Sequence, residues 1–167
     1  ERIAGTGEVL ISLDPAEVAV LLDGLVDAGV TAVGVCFLHS YRNPAHEQAV
    51  ARIAAERHPQ LAVSVSSEVM PELKEFERVS TMVVNAYVQP LVDRYLARLE
   101  ERLGSQQFAR RLFLMLSSGG VSSTAIARKF PVRLVESGPV GGAIAAAHSG
   151  RAAGLPNVVS FDMGGTT

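Results

Sequence analysis

The sequence predicts an α/β fold in which helices flank a mainly parallel sheet. Residues 31–38 form an apolar, β-branched run without polar alternation, which is typical of a strand buried on both faces of a parallel sheet. Segments with strand character alternate with amphipathic helical patterns, and the short loops between them favour right-handed crossovers between parallel strands. At 167 residues, with 48% hydrophobic content, the chain is long enough to bury a core of this kind.

The first elements are a predicted hairpin and a predicted helix. Residues 2–4 and 8–11 flank a glycine-containing turn, which favours a short hairpin. Asp14 in an N-cap position and Pro15 after it predict the start of a helix, and Gly29 predicts its end. The apolar positions of this helix are expected to pack on the core, and they are Val18, Leu21, Leu22, Leu25 and Val26.

A second helix, a second strand and a long helical stretch follow the buried run. Asn43 and Pro44 predict the start of the second helix, and residues 61–65 read as a short strand. Helical periodicity then extends over residues 72–103, with a break into two pieces expected near Pro90. The charged run between Glu72 and Arg78 is interpreted as a solvated helix face.

The C-terminal part is predicted to add two more strands to the sheet. Residues 112–116 form the third strand, followed by a short helix from Ser123 and a small strand at 132–135. An alanine-rich helix is expected after residues 136–142, and residues 158–161 form the fourth strand. Because loops at the carboxyl ends of parallel strands share one edge, residues 39–41, 66–68, 117–120 and 162–167 are expected around one cleft, unless the fourth strand opens a second lobe.

The last six residues combine the chemical groups of a phosphate loop. Asp162 is a carboxylate that suits Mg²⁺, Gly164 and Gly165 allow backbone N–H groups to approach phosphate oxygens, and the hydroxyls of Thr166 and Thr167 add donors. A tight glycine hairpin turn is the alternative interpretation, because short glycine motifs occur often by chance.

Two further glycine segments have a structural and a functional interpretation. Gly138, Gly141 and Gly142 fit either a closely packed helix start or a helix N-terminus that faces an anion. The turn of Ser118, Gly119 and Gly120 is either a simple strand end or part of a substrate or phosphate rim.

Several other kinds of site are excluded or disfavoured. The sequence contains neither GxxxxGK[ST] nor GxGxxG, and its net charge of −2 gives no basic footprint for nucleic acid. No apolar run reaches the ~18 residues of a membrane span. The four histidines show no metal-ligand spacing, and His39 alone is an acid/base candidate. A Ser117, His39 and Asp162 triad is rejected for lack of a GxSxG elbow, and the single Cys36 suits a reducing cytoplasm.

Five sequence blocks together resemble one protein family. They are FLHSYRNPAHE at 37–47, ERVSTMVVNAYVQP at 77–90, LFLMLSSGGV at 112–121, ESGPVGGA at 136–143 and DMGGTT at 162–167. In this order they resemble the hydantoinase A and 5-oxoprolinase family. The final block is similar to the second phosphate loop, DxGGT, of the superfamily of actin, sugar kinases and heat-shock ATPases.

The resemblance implies an actin-like, ribonuclease H-like ATPase fold with nucleotide between two lobes. Residues 1–157 are then the later part of the first lobe, and 158–167 open the second. The chain is interpreted as an excerpt that is inactive alone, because a first phosphate loop and an acidic residue after the threonines, both typical of the family, are not in it.

The resemblance also implies an enzyme that uses ATP and Mg²⁺ to hydrolyse a cyclic amide, of the N-substituted hydantoinase or 5-oxoprolinase type. Asp162 is then the catalytic, metal-side carboxylate, and the glycine and threonine positions above bind the nucleotide. A hydantoinase B-like partner subunit is implied as well. The alternatives are an ATP-dependent ketone carboxylase subunit and a nucleotide-binding or assembly module without catalysis.

Overall fold

The computed structural model describes residues 1–108 and 110–164, and the chain divides into two compact units, Glu1–Tyr95 and Leu96–Thr167. The first unit contains β1 (Arg2–Ile3), β2 (Val9–Ile11), α1 (Pro15–Asp27), β3 (Ala32–Val35), α2 (Ala45–Arg57), β4 (Ala62–Val65), α3 (Ser66–Val69) and most of α4 (Glu75–Ser105). The second contains β5 (Phe113–Met115), β6 (Val121–Ser123), α5 (Thr124–Lys129), a 3₁₀ helix (Pro131–Leu134) and α6 (Ser137–Ala152).

The core of the first unit lies between a parallel strand pair and two helices. β3 and β4 pair in parallel, with Val35 opposite Val65. The buried side chains of this core come from α1, α2, the two strands and the residue before β4: Val18, Leu22, Val35, Val50, Ala54, Leu61 and Val65. The burial of these apolar side chains is the main driving force that holds the helices on the sheet.

The predicted starts of α1 and α2 are confirmed, and two predicted core positions in α1 are wrong. The Asp14 side chain accepts a hydrogen bond of 2.8 Å from the Ala16 N–H, and Pro15 is the first residue of α1. The Asn43 side chain accepts a hydrogen bond of 3.1 Å from the Ala45 N–H at the start of α2. Leu21 and Leu25 are exposed, because α1 turns only Val18 and Leu22 fully toward the core. The predicted N-terminal hairpin is also present, as β1 pairs with β2 in antiparallel fashion.

Gly34 lets α4 approach the sheet closely. A Cβ built on Gly34 would overlap Sδ of Met82, which is itself buried in the first unit. We expect Gly34→Ala to destabilise this unit by about 1–3 kcal/mol, because overpacking forces a buried side chain to move. Met82→Ala should make room for the added methyl group. Urea unfolding of the two single variants and the double variant should therefore show strong non-additivity; purely additive effects would contradict the close approach.

An ion cluster joins α1 to the end of α2. Oδ1 of Asp23 lies 3.1 Å from Nε of Arg57 and 2.7 Å from Nε2 of His58. Hydrogen bonds from Arg57, and then from His58, hold the pKa of the Asp23 carboxyl below its ordinary value of 3.8. A carboxyl whose pKa is lowered by folding stabilises the fold above its unfolded pKa and loses that contribution as the pH falls.

The expected result is a difference in acid sensitivity. The urea midpoint of the native chain should exceed that of Asp23→Asn at neutral pH, and the gap should close as the pH falls below about 3.8 through the lowered pKa of Asp23. Asp27→Asn, at an exposed position of the same helix, serves as the control. A gap that stays constant down to acid pH would contradict the contribution of this cluster.

α4 is one continuous helix, so the predicted break near Pro90 is wrong. The helix runs for 31 residues with Pro90 inside it. Proline removes one backbone hydrogen bond, and buried side chains on both sides of it, Met82 and Ala86 before and Leu96 after, hold the two halves in helical conformation. The burial of these three side chains could not be predicted from the local sequence.

The mixed α/β composition is confirmed, whereas a mainly parallel sheet is not present among the described residues. These residues form three two-stranded sheets, and only β3 with β4 is parallel. β5 pairs with β6 as an antiparallel hairpin, because the five-residue turn at 116–120 is too short for the crossover that parallel pairing needs. The segment predicted as a small strand at 132–135 is instead mostly the 3₁₀ helix Pro131–Leu134.

Residues 158–161 do not form the predicted fourth strand. Residues 157–164 lie in neither helix nor strand, and the side chains of Val159 and Phe161 are exposed. A strand needs a partner for its backbone groups, and Val158 instead lies against Gly150 near the end of α6. A lobe boundary at 157/158 stays a proposal. No helix among the described residues is long and apolar enough to cross a membrane.

Candidate functional site

The turn at 116–120 has the geometry that its glycines predict. The Leu116 N–H donates to the Gly120 carbonyl at 2.8 Å, and Gly119 adopts a positive φ of 86°, which side chains with a Cβ rarely tolerate. Both the N–H and the hydroxyl of Ser117 donate to the carbonyl of Arg133, at 2.8 and 2.9 Å. The turn is thereby fixed in position, with Ser118 and Gly120 exposed.

α6 begins earlier than the sequence predicted. Glu136, in the left-handed conformation with a φ of 63°, precedes the helix, and its side chain does not cap it. Ser137 is the first helical residue, so Gly138 lies in the first turn, where backbone N–H groups have no partner within the helix. The N–H groups of Gly141 and Gly142 lie deeper, where a regular helix satisfies them internally. The contribution of Gly141 and Gly142 is therefore to let neighbouring groups approach the helix closely.

Contacts with α6 bring the predicted site segments of the second unit together. A Cβ on Gly119 would lie 3.2 Å from Ile144 and 3.7 Å from Val140, so the turn packs on one side of this helix. A Cβ on Gly142 would lie 4.0 Å from Oδ2 of Asp162, so the carboxylate lies beside the same helix. The turn, the first half of α6 and Asp162 thus form one region of the second unit.

Asp162 and Gly164 are exposed, and, apart from the chain neighbours of Gly164, no atom of the described residues lies within 4 Å of a Cβ built on it. This open backbone fits a close approach by a phosphate group. Gly165, Thr166 and Thr167 lie outside the described residues.

The carboxylate of Asp162 suits Mg²⁺ better than it suits a metal ion whose ligands all come from the protein. Within residues 1–108 and 110–164 there is no group of three or more His, Cys, Asp or Glu side chains that could hold a metal ion. Mg²⁺ usually keeps several waters and takes one or two carboxylates together with substrate phosphates. The single exposed carboxylate of Asp162 suits that arrangement.

The first unit contains a buried polar cluster that the sequence reasoning missed. Glu47 of α2 is 0% exposed, and its carboxylate accepts three hydrogen bonds. Oε1 accepts from the Phe37 N–H at 2.8 Å and from the Ser66 hydroxyl at 2.7 Å, and Oε2 accepts from the Ser67 N–H at 2.8 Å. Oγ of Ser66 also lies 3.1 Å from Oγ of Ser40. One side chain thus ties together the segments that follow β3 and β4.

Arg78 completes this cluster, and its assignment to a solvated helix face was wrong. The residue is 1% exposed. Its guanidinium donates to the carbonyls of Glu72 and Phe37 at 3.1 and 3.0 Å, and lies 5.5 Å from the centre of the Tyr41 ring. The peptide groups on both sides of Phe37 are therefore held, by Glu47 through the N–H and by Arg78 through the C=O. We name Glu47, Arg78, Ser40 and Ser66 the clamp.

The histidines of the first unit have different surroundings. Nδ1 of His46 lies 2.6 Å from Glu1, and His58 contacts Asp23. His39 adopts a φ of 58° and packs edge-on against Tyr41, with ring centres 6.1 Å apart. Its imidazole has no hydrogen-bond partner among the described residues.

Family models match both parts of the chain. One described as hydantoinase/oxoprolinase matches residues 78–167, and one described as the hydantoinase/oxoprolinase N-terminal region matches residues 1–58. The chain belongs to the hydantoinase/oxoprolinase family.

Three relatives in this family illustrate different reactions. The chain is 35% identical over 169 residues to the caprolactamase subunit alpha of Pseudomonas jessenii, covering 99% of this chain and 24% of that protein. It is 32% identical to the acetophenone carboxylase gamma subunit of Aromatoleum aromaticum, covering 100% and 23%, and 33% identical to 5-oxoprolinase 1 of Arabidopsis thaliana, covering 88% and 12%. The chain therefore spans a quarter or less of the length of these relatives.

Two solved structures share the fold. The crystal structure of the ATP-dependent caprolactamase from Pseudomonas jessenii matches with a TM-score of 0.83 and 33% identity, covering 99% of this chain and 24% of that one. Nucleotide-free acetone carboxylase matches with a TM-score of 0.76 and 25% identity, covering 92% and 22%.

The family blocks contain the signal that points to the clamp. Glu47 closes the block at 37–47, and Arg78 lies in the block at 77–90. A glutamate and an arginine inside two blocks that resemble the family are candidates for a structural role, and a buried charge must be paired or hydrogen-bonded. In this hydantoinase/oxoprolinase chain both residues bind the same residue, Phe37.

Proposed function

We propose that the protein to which this chain belongs is an ATP-dependent hydrolase of cyclic amides, and that this chain forms one side of its nucleotide site. The observation that carries the proposal is the placement of Asp162 beside Gly142 of α6, the helix on which the Gly119 turn also packs. Whole-chain similarity to the subunit alpha of a caprolactamase supports the substrate class.

The proposed reaction overcomes the resonance stabilisation of an amide. The γ-phosphoryl group of ATP is transferred to the lactam oxygen with release of ADP. Water then adds to the activated carbonyl carbon, the ring C–N bond breaks to leave an amine and an acyl phosphate, and a second water releases inorganic phosphate to give the ring-opened amino acid. Such a transfer depends mainly on positioning and on charge stabilisation. The rate of this transfer therefore depends on the residues that bind and orient the phosphates.

Each residue of the region in the second unit has a proposed role in that task. Asp162 holds Mg²⁺, and Gly164 and Gly165 with the hydroxyls of Thr166 and Thr167 cradle the phosphates. Gly138 lies in the first turn of α6, and its backbone N–H is one of the free donors there that favour negative charge. Ser118, Gly119 and Gly120 form the neighbouring rim, with Gly141 and Gly142 allowing close packing.

A ketone carboxylase is the second candidate. The acetophenone carboxylase gamma subunit and the acetone carboxylase structure favour it, and both match most or all of this chain. A nucleotide-binding or assembly subunit without catalysis is the third. Since two of the relatives are named as subunits, we propose a partner for this protein as well, with a hydantoinase B-like chain as the expected type.

The experiment measures ADP release by the full-length protein, with and without its partner subunit. Caprolactam, 5-oxoproline and a hydantoin are compared with acetone and acetophenone in bicarbonate buffer. Stimulation by a lactam, with ring opening seen by mass spectrometry, is the expected result. Stimulation by the ketones alone would replace the hydrolase by a carboxylase, and ATP binding without stimulation would favour the non-catalytic subunit.

A further inference from the structure

The loop at 37–43 follows β3 at the carboxyl end of the parallel pair, and its conformation is strained. Carboxyl ends of parallel strands are where α/β folds bind ligands. His39 adopts a left-handed φ of 58°, which is uncommon for a residue other than glycine and persists only where the surroundings impose it. Such strain in a loop often accompanies a binding function.

The clamp provides the surroundings that impose this conformation. Glu47 and Arg78, both with at most 1% exposure, hold the N–H and the C=O of Phe37, two residues before His39. On the other side of His39, the Ser40 hydroxyl lies 3.1 Å from that of Ser66, which in turn binds Glu47. His39 is therefore flanked by fixed residues.

The two buried charged groups of the clamp are already engaged, although Nε of Arg78 and the Ser67 hydroxyl are buried without a hydrogen-bond partner among the described residues. Glu47 accepts three hydrogen bonds, and Arg78 donates to two carbonyls. Arg42 of the loop is exposed, and its side chain lies near Gly7 of the N-terminal turn. The partly exposed polar side chains of this loop that are uncharged and make no hydrogen bond among the described residues are those of His39 and Tyr41, which pack against each other. Neutral hydrogen-bonding and aromatic groups of this kind suit a neutral carbonyl compound better than a phosphate.

We propose that His39 contacts a neutral carbonyl substrate, and that Glu47 and Arg78 are positioning residues that hold the His39 loop for it. The choice of ligand class rests on the proposed function, whereas the location rests on the geometry of the loop. His39 is partly exposed, and its ring also lies near Gly5 of the N-terminal turn, since a Cβ on Gly5 would be 3.7 Å from it.

The test is ligand protection of His39 from carbethoxylation in the full-length protein. Diethyl pyrocarbonate reacts with neutral imidazole nitrogen, and peptide mass spectrometry reports each histidine separately. Labelling is measured with caprolactam, acetophenone or inorganic phosphate, each with and without a non-hydrolysable ATP analogue. His148, exposed in the second unit, is the internal control.

Caprolactam or acetophenone should slow the labelling of His39 by about tenfold at about nine times its Kd, with His148 unaffected. Protection by neither compound, or equal protection by phosphate, would overturn the proposal. Protection by acetophenone alone keeps the site and removes the hydrolase function. Protection by caprolactam without any lactam-dependent ADP release also keeps the site while the proposed function fails.

Glu47→Gln tests the positioning role. The amide places a donor against the donors of Phe37, Ser66 or Ser67, so the loop should lose its fixed conformation and His39 should lose its ligand protection. Glu56→Gln, at an exposed site on the same helix, should retain full protection. Ser66→Ala is a milder change. It should weaken the ligand protection of His39, and it serves as the test if Glu47→Gln does not fold. Full protection in a folded Glu47→Gln or in Ser66→Ala would contradict the role of the clamp.

Discussion

Asp162→Asn in the full-length protein should lower lactam-dependent ATP hydrolysis by roughly 10²–10³-fold, by analogy with the loss of one preorganised electrostatic contact. The change keeps the size of the side chain but removes the charge that would hold Mg²⁺ beside the transferred phosphoryl group. Because Asp162 is exposed, the melting temperature should not change. Steady-state ADP release and a melting curve measure the two effects.

The hairpin-turn interpretation of the same residues predicts the opposite outcome. Asparagine and aspartate both suit turns, so the substitution would then be nearly silent. Asp27→Asn, an exposed aspartate at the end of α1, controls for the loss of one surface charge. A folded Asp162→Asn protein that hydrolyses ATP at the native rate would remove Asp162 from the active site.

Val35→Asp should unfold the first unit. Val35 is 7% exposed and packs with Val18, Leu22 and the other residues of the core. An aspartate there either buries an unpaired charge or is protonated at a cost, and the loss is about 4 kcal/mol or more. This is a large part of the ~5–15 kcal/mol that stabilises a typical domain.

Far-UV circular dichroism of the chain during urea unfolding measures this loss. Val20→Asp is the matched control, since Val20 is 70% exposed on α1 and the same change there should cost well under 1 kcal/mol. Equal unfolding midpoints for the two variants would mean that β3 is not part of the core.

Local sequence signals predicted those elements whose causes are local. The caps of α1 and α2 depend on side chains within two residues of the first turn, and the hairpin of β1 and β2 depends on a short glycine turn. The run at 31–38 was predicted as a strand buried on both faces, and this is only partly correct: Val35 is buried, but Ala32 and Val33 are half-buried and Gly34 is exposed. The family, too, was identified from the order of five blocks.

Pairing and burial depend on distant residues, and there the sequence was insufficient. Nothing near residues 112–116 indicated that this strand pairs with 121–123 rather than with the parallel pair. The periodicity of α4 gave no sign that helical structure continues through Pro90.

The sequence by itself determined the family, the starts of α1 and α2, the strand that contributes Val35 to the core and the chemical character of Asp162 and its neighbours, because each is expressed in contiguous residues. Only the tertiary structure revealed that Glu47 and Arg78 are buried. Glutamate and arginine are charged residue types, and such residues usually lie at the surface. Their burial is stabilised by the N–H and C=O of Phe37, and those partners lie 10 and 41 positions away along the chain.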